Sequence, residues 1–301
     1  TCDIDSSAVF SLPTMDSIYQ VPIILESQKA TSVVLSKLKL KNKRSNLKKW
    51  KELVDNILKT KKVVRIGLVA KYLGNSDTYA SLTEAIMHAA WSCNAEADIV
   101  WIDAENTDNI VNELENVDGV VIPGGFGNRG IEGKIIAINY SRLNNLPILG
   151  ICLGFQMMVV EFSRNILGLR EATSMEFDPE GKDLVISLLA EKDQFSNLGG
   201  TMRLGNYQNK LIKDSKLSSL YKSKLIIARH RHRFEFNNKY REALEKAGLI
   251  VSATTLDDKL VEAIEIKDNN FFIGVQFHPE FKSRPEKPHP LFVGLIKAST
   301  K

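Results

Sequence analysis

A cysteine flanked by glycines, and a histidine followed two residues later by a glutamate, carry the chemistry that this sequence suggests. Cys152 lies in the segment PILGICLGFQ (residues 147–156), and His278 and Glu280 lie in the segment FHPE. A cysteine thiolate is a nucleophile, an imidazole can carry protons for it, and a carboxylate can hold the imidazole in the useful tautomer. Together the two segments predict a cysteine hydrolase.

The residues around Cys152 predict a sharp turn between a strand and a helix. Pro147–Ile151 is short and apolar, as expected of a buried strand, and apolar residues recur at helical spacing from Phe155 onwards. The glycines two residues to either side of the cysteine remove side chains that would block the turn. At the start of a helix the dipole favours the thiolate, and the N–H of Leu153 faces the place where an oxyanion would form.

A glycine-rich segment, GVVIPGGFGNRG (residues 119–130), follows another apolar run. Residues 125–130 match the G-x-G-x-x-G fingerprint of dinucleotide sites, but no acidic residue lies about 20 positions further on to hold a ribose. The spacing also fails to match a P-loop. We expect these glycines to bring backbone N–H groups close to a ligand, with Gly125 supplying a second oxyanion donor.

The histidine and the glutamate are predicted to converge because of the proline between them. Pro279 disfavours helix at His278 and favours an extended conformation, in which residues two apart face the same side. The segment RHRHR (residues 229–233) lacks carboxylates or cysteines nearby, so we expect no metal site there. One of its guanidinium groups is better suited to binding the carboxylate of a substrate.

Length and composition indicate an ordinary globular protein. The chain has 301 residues, of which 44% are hydrophobic and 25% are charged. It has no apolar run of the roughly 18 residues that a membrane span needs, and we expect no membrane association. Three widely spaced cysteines predict neither a disulfide framework nor a zinc site, and they favour a reducing, cytoplasmic location.

The net charge of +4 comes from one segment. Residues 37–51 hold eight basic residues and no acid, so the remainder sums to 4 − 8 = −4. No aromatic-interleaved or groove-reading motif accompanies these charges. We therefore expect a solvated linker or helix face and no nucleic-acid partner.

Two regions are expected. Residues 1–62 read as a fragment of a larger domain plus a linker, with an amphipathic helix over Asn46–Thr60, and residues 63–301 alternate strands and helices. This alternation predicts an α/β fold: a mostly parallel twisted central sheet with helices on both faces, plus a smaller antiparallel sheet region. The predicted strands include Val63–Val69, Gly119–Ile122, Leu225–Ala228, Val261–Ile266 and Phe271–Phe277, and the predicted helices include Thr78–Ser92, Gly130–Asn144, Lys239–Ala247 and Pro290–Ala298.

The motifs PGGFG, GICLGFQ and FHPE resemble those of the class I glutamine amidotransferases, whose glutaminase domain uses a Cys–His–Glu triad. Further stretches (SDTYASLTEAIMHA, EFDP, GGTMRLG and RHRHRFEF) resemble the CTP synthase family within that class. The stretches SIYQVPIILE and KKWKEL look like the end of that family's synthetase domain and the linker after it. The resemblance covers nearly the whole chain.

The resemblance implies roles for individual residues. Cys152 would be the nucleophile, His278 the acid and base, and Glu280 its orienting carboxylate. Backbone N–H groups of Gly125 and Leu153 would form the oxyanion hole. The residues expected to bind L-glutamine are Gly125, Leu153, Gly154, Phe155, Gln156, Glu176 and Arg233, with Glu176 near its ammonium group and Arg233 near its carboxylate. Residues 199–205, with Arg203, resemble a lid that responds to GTP.

The resemblance also implies partners. No cofactor is needed for glutamine hydrolysis, whereas ATP, Mg²⁺ and the effector GTP belong to the complete enzyme, expected to be a homo-oligomer. We expect no complete ATP/UTP half before Thr1, and we expect the chain to be the glutaminase half, donating ammonia to the missing synthetase domain. Phe155, Phe234 and Ala70 stand where the family usually has methionine, tyrosine and glycine.

Two other functions stay open from the sequence alone. One is a different cysteine hydrolase on the same scaffold, such as a γ-glutamyl hydrolase. The other is a regulatory or assembly module in which the glutaminase residues are idle.

Overall fold

A computed structural model describes residues 4–42, 45–59, 61–71, 73, 76–188 and 202–300. Contacts within the chain divide it into two compact units, Thr1–Lys62 and Val63–Lys301. This division falls where the alternation of strands and helices was predicted to begin. The origin of the first unit in a synthetase domain stays a prediction.

The first unit contains three described helices: α1 (Val21–Ser27), α2 (Ala30–Lys37) and α3 (Lys48–Ile57). Helix α3 is the amphipathic helix expected over Asn46–Thr60, but it begins later and ends earlier than predicted. Its Trp50 packs against Tyr19, with ring centroids 5.9 Å apart, and the indole N–H donates to the Tyr19 carbonyl at 2.8 Å. Val54 is buried on the same face.

The second unit is built on a sheet of nine described strands. Their order is β2-β1-β3-β4-β12-β11-β10-β7-β8. The strands are β1 (Lys62–Ala70), β2 (Ala95–Asp103), β3 (Gly119–Ile122), β4 (Ile148–Ile151), β7 (Arg203–Leu211), β8 (Leu225–His232), β10 (Leu249–Thr255), β11 (Val261–Ile266) and β12 (Phe272–Val275). The pairs β1/β3, β3/β4 and β4/β12 are parallel, and from β12 to β8 every pair is antiparallel. The α/β fold is confirmed, and the antiparallel region belongs largely to the main sheet.

A smaller sheet of three strands lies outside the main one. It consists of β5 (Ala172–Ser174), β6 (Asp183–Leu188) and β9 (Phe234–Phe236). Strand β6 pairs parallel with β5 and antiparallel with β9, so this sheet is mixed rather than purely antiparallel. Strands β5 and β9, with only three residues each, are too short to show a period in the sequence.

Helices cover both faces of the main sheet. They are α4 (Ala80–Ser92), α5 (Ile110–Leu114), α6 (Ile131–Leu143), α7 (Leu153–Asn165), α8 (Lys216–Tyr221), α9 (Arg241–Lys246) and α10 (Pro290–Ser299). Successive side chains of a strand face opposite sides. In β3, Val120 and Ile122 therefore join the core under α6 and α7, whereas Val121 joins the core under α4 and α10.

Several element boundaries differ from the sequence prediction, including those of α4 and β8. Helix α4 begins at Ala80, because the residues predicted to open it (Ser76–Tyr79) form a 3₁₀ turn instead. Strand β8 extends to His232, four residues beyond the predicted end. Its exposed and buried residues alternate through the whole RHRH stretch, with His230 and His232 on the buried side.

Candidate active site

Cys152 occupies the turn between β4 and α7. Its backbone has φ +52° and ψ −103°, a positive-φ conformation outside the left-handed helical region that is rare for a residue with a side chain. The Cys152 N–H donates to the Val275 carbonyl at 2.8 Å, which ties the turn to the neighbouring strand β12. The cysteine is 3% exposed. The turn is thus a strained one that presents a single thiol, as the sequence predicted.

The turn is tight because Gly150 and Gly154 lack side chains. A Cβ on Gly154 would overlap the backbone carbonyl of Ile122, and a Cβ on Gly150 would press on Met158 and on the backbone of Gly154 itself. These contacts leave no room for any other residue without moving a strand or the helix.

Replacing Gly154 by alanine is expected to lower the free energy of unfolding by about 3 kcal/mol, because the added methyl group meets backbone that cannot rotate away. Gly168→Ala is the matched control. Gly168 has positive φ (+78°), unlike Gly154, but open space around it, so alanine there should cost only about 1 kcal/mol, from backbone strain alone. Urea unfolding of both variants measures the difference, and equal costs would contradict the packing described here.

His278 and Glu280 form a close pair. The imidazole Nδ1 lies 2.7 Å from Oε1 of Glu280, and both side chains are nearly buried. His278 has the extended backbone that Pro279 predicts (φ −105°, ψ 90°), but Glu280 reaches it through the 3₁₀ turn Pro279–Lys282 rather than along a strand. The His278 N–H donates to the Arg229 carbonyl at 2.8 Å, which fixes the histidine at the edge strand β8.

The thiol and the imidazole meet at Gly124. A Cβ on Gly124 would lie 2.9 Å from Cε1 of His278 and 3.4 Å from Cβ of Cys152. The pKa of His278 is raised to about 10: burial lowers it, but the charge and hydrogen bond of Cys152 and then the carboxylate of Glu280 more than offset that effect. The charged imidazolium is therefore favoured beside the sulfur of Cys152.

A cavity of about 300 Å³ opens beside this pair. Its lining includes Cys152, His278, Glu280, Gly124, Gly125 and Phe126. Arg231 also lines it, with its guanidinium 5.7 Å from the ring centroid of Phe126. The cavity gives a small polar substrate a route to the sulfur.

The two predicted oxyanion donors are neighbours. A Cβ on Gly125 would lie 3.5 Å from the side chain of Leu153. Leu153 is the first residue of α7, so its N–H has no carbonyl within the helix to bind. Gly125 lies in the loop Pro123–Gly127, hereafter the glycine loop. Both groups are thus placed beside Cys152.

The residues predicted to bind glutamine divide into two groups. Glu176 accepts a hydrogen bond from the Gly127 N–H at 2.7 Å, and burial raises its pKa against the lowering effects of that bond and of Lys71 and Arg233. Glu176 and Arg233 therefore lie close enough to interact, beside the glycine loop. Arg233 is exposed, which leaves its guanidinium accessible to a carboxylate.

Two further predicted contacts, Phe155 and Gln156, have buried side chains, and a third, Gly154, has none. Phe155 is fully buried, and the absent side chain of Gly154 is what lets α7 approach strand β3. The amide of Gln156 donates to the Phe234 carbonyl at 3.0 Å and to Gln276 at 3.3 Å. These residues could contact a ligand in this arrangement only through their backbone.

Arg203, expected in a lid, lies at the start of β7 and forms ion pairs with two buried glutamates. It binds Glu235 at 3.0 Å and Glu262 at 2.7 Å. Burial raises the pKa of Glu235 to about 8 in spite of the arginine. Residues 199–201 of the expected lid lie outside the described residues.

His230 and His232 belong to the same buried cluster. Their rings are joined by a 2.9 Å contact between Nδ1 of His230 and Nε2 of His232. Burial lowers the pKa of His230 to about 2 and that of His232 to about 3, so both are neutral. Within the described ranges, no group of three or more histidine, cysteine, aspartate or glutamate residues could hold a metal ion.

Sequence reasoning missed two lysines beside the site. Lys71 donates to the carbonyls of Phe126 and Gly127, and Lys134 donates to that of Pro123 at 3.1 Å. Lys134 was detectable, because it falls on the apolar stripe of α6 with Ile131, Ile135 and Ile138. Lys71, at the end of a strand, gave no such signal.

The described part of the chain contains no helix with the length and apolar character needed to cross a membrane.

A strained cysteine after a parallel strand, with a His–Glu pair at the end of the neighbouring strand, is an arrangement typical of cysteine hydrolases of the triad type. Residues 75–298 match the family model described as "Glutamine amidotransferase class-I", and the chain belongs to that family.

Its relatives are more specific. The chain is 46% identical over 300 residues to the CTP synthase of Listeria monocytogenes serotype 4b (strain F2365), and 45% identical over 300 residues to that of Bacillus subtilis (strain 168). Each alignment covers 99% of this chain and 56% of the relative, so the chain spans about half the length of the curated relatives it matches.

A solved structure is also similar, the glutaminase domain of Trypanosoma brucei CTPS with bound acivicin. It is 39% identical with a TM-score of 0.74, and the alignment covers 78% of this chain and 93% of that one.

Proposed function

We propose that this chain is the glutaminase part of a CTP synthase and hydrolyses L-glutamine through a thioester on Cys152. The convergence of Cys152, His278 and Glu280 on one cavity is the observation that carries the proposal. The similarity of the whole chain to CTP synthases supports the choice of substrate.

The reaction begins with attack of the Cys152 thiolate on the side-chain amide of glutamine. The N–H groups of Gly125 and Leu153 stabilise the oxyanion, and the loss of one such donor typically costs about 3–4 kcal/mol of transition-state stabilisation. His278, charged and held by Glu280 at 2.7 Å, gives its proton to the departing ammonia. The neutral imidazole then removes a proton from water, which attacks the thioester and releases glutamate.

Glu176 and Arg233 are proposed to hold the two charged groups of glutamine. The carboxylate of Glu176 suits the ammonium group, and the exposed guanidinium of Arg233 suits the carboxylate in a bidentate pair. Glu176 also accepts the Gly127 N–H at 2.7 Å, so a bound ammonium group would be fixed relative to the glycine loop.

The released ammonia is proposed to pass to a synthetase domain that aminates UTP, with ATP and Mg²⁺ bound there and GTP as effector. This part of the proposal comes from the relatives. The region that matches this chain makes up 56% of the length of the Listeria CTP synthase. Hydrolysis itself uses only the side chains described above. We also propose a homo-oligomeric complete enzyme and a cytosolic location, where the nucleophilic thiol stays reduced.

A substrate comparison tests the function. The chain is incubated with glutamine, asparagine or a γ-glutamyl dipeptide, and released glutamate or aspartate is measured with and without GTP. Glutamine is expected to be strongly preferred, and Glu176→Gln should raise KM because it removes the charge that faces the ammonium group. Glu180→Gln, an exposed position on the same segment, is the control.

Each of the other functions predicts its own result. Faster cleavage of the γ-glutamyl dipeptide would identify a γ-glutamyl hydrolase instead. An idle module would release no glutamate from any of the three, and a glutamine-like electrophile such as acivicin would fail to label Cys152.

A further inference from the structure

Lys134 is a fully buried lysine close to the proposed site. Its side chain has 0% exposure on α6, and burial lowers its pKa to about 7, helped by the charge of Lys71 and opposed by that of Cys152. Lysine is almost never fully buried unless it has a partner. In the part of the chain that the structure describes, the charged groups that act on Lys134 are Lys71 and Cys152, and neither is a carboxylate. Its hydrogen bond goes to a backbone carbonyl instead.

That carbonyl belongs to the first residue of the glycine loop. Lys134 Nζ donates to Pro123 O at 3.1 Å. In a trans peptide the C=O and the following N–H point in opposite directions, so holding the Pro123 carbonyl towards α6 turns the Gly124 N–H away from it. Gly124 is the residue whose missing side chain faces both His278 and Cys152.

The other end of the glycine loop is held in the same way. Lys71 donates to the carbonyls of Phe126 and Gly127, and the Gly127 N–H points the opposite way, to Glu176 at 2.7 Å. Gly125 lies between these two fixed peptides. Its N–H direction is thus set by its neighbours, since a glycine left alone would rotate freely.

The position of α6 makes Lys134 a fixed anchor. Gly133, the preceding residue, packs so closely on Ala104 that a Cβ there would overlap the Ala104 carbonyl. Ile135 and Ile138 are buried in the core on either side. The helix therefore cannot shift with the glycine loop, and the position of Lys134 determines that of the loop.

We propose that Lys134 is a positioning residue for the oxyanion hole: its ammonium group binds the Pro123 carbonyl and thereby directs the N–H groups of the glycine loop towards the oxyanion that forms over Cys152. The inference rests on the proposed glutaminase function. If the side chain at position 134 only filled space, methionine would serve equally well, because it matches lysine in length and needs no hydrogen bond.

The test compares two reactions of the same thiol. Glutamine hydrolysis passes through an oxyanion, whereas alkylation of Cys152 by iodoacetamide is a direct displacement that needs no oxyanion donor. In Lys134→Met, kcat for glutamine should fall about 10- to 100-fold, as expected when reacting groups are misplaced by about 1 Å. KM and the alkylation rate should each stay within about threefold of wild type. Lys134→Gln, which keeps an N–H donor, should recover part of kcat.

Ile138→Val, one turn further along α6 and equally buried, is the control and should leave kcat unchanged. An unchanged kcat in Lys134→Met would overturn the proposal. So would an equal fall in kcat and alkylation rate, since that would mean a general loss of the site. If Lys134→Met does not fold, kcat and the alkylation rate are measured in Lys134→Gln instead. The expected result is a reduced kcat with an unchanged alkylation rate. Absence of hydrolysis by the wild-type chain would instead count against the proposed function.

Discussion

Cys152→Ala is expected to lower glutamine hydrolysis about 10⁶-fold, the size of effect known for removal of a triad nucleophile. The thiol is the only nucleophilic side chain that the elbow presents to the cavity, and alanine cannot form the thioester. The fold should survive, because alanine fills a similar space and keeps the same backbone conformation. Glutamate release and the urea midpoint measure the two effects.

Cys93→Ala is the control for Cys152→Ala. Cys93 is the other cysteine described as free, and it lies at the end of α4, with its thiol 4.0 Å from the Val293 carbonyl. Its replacement should leave hydrolysis unchanged. Full activity in Cys152→Ala, or a loss of activity in Cys93→Ala that matches it, would contradict the assignment of the nucleophile.

His278→Gln is expected to lower glutamine hydrolysis about 10⁴-fold, because it removes the group that moves protons in both halves of the reaction. Glutamine keeps a hydrogen-bonding group near Glu280 but cannot carry a proton. A burst of ammonia release followed by slow release of glutamate would mean that the thioester still forms. An activity within tenfold of wild type would exclude His278 as the acid and base.

The same variant tests the pH dependence of stability. The pKa of His278 in the folded protein is raised to about 10 from an ordinary value of 6.5. A raised pKa means that the charged imidazolium stabilises the fold fully below pH 6.5 and that this stabilisation is lost as pH rises through 10. The free energy of unfolding should therefore exceed that of His278→Gln most at pH 6.5, with the difference shrinking towards pH 10.

Urea unfolding of both proteins at pH 6.5, 8 and 10 measures this difference. The pKa values of Glu235 (about 8) and Lys134 (about 7) fall in the same pH range. Both residues are present in both proteins, so their contributions to the difference in unfolding free energy largely cancel. A difference that is constant or grows with pH would show that the imidazole is not charged in the fold.

The elbow could be predicted from the sequence because its determinants are local. Gly150, Cys152 and Gly154 are neighbours along the chain, and the clashes that exclude larger residues involve the adjoining strand and helix. The pairing of His278 with Glu280 was equally local, although a 3₁₀ turn rather than a strand brings them together.

Features that depend on packing between distant segments could not be predicted in the same way. Gln156 looked free to contact glutamine, but its amide is bound to Phe234 and Gln276 across the sheet. Arg203 likewise finds Glu235 and Glu262 only once β7 and β11 are placed. The sequence shows that each of these residues is charged, whereas the partner with which it forms an ion pair depends on the order of the strands in the sheet.

The most direct measurement is mass spectrometry of the chain quenched in acid while it is turning over glutamine. A γ-glutamyl group is expected on the peptide that contains Cys152, absent from Cys152→Ala and most abundant in His278→Gln if deacylation slows more than acylation. Steady release of glutamate from glutamine with no adduct on Cys152 in either wild type or His278→Gln would contradict the account.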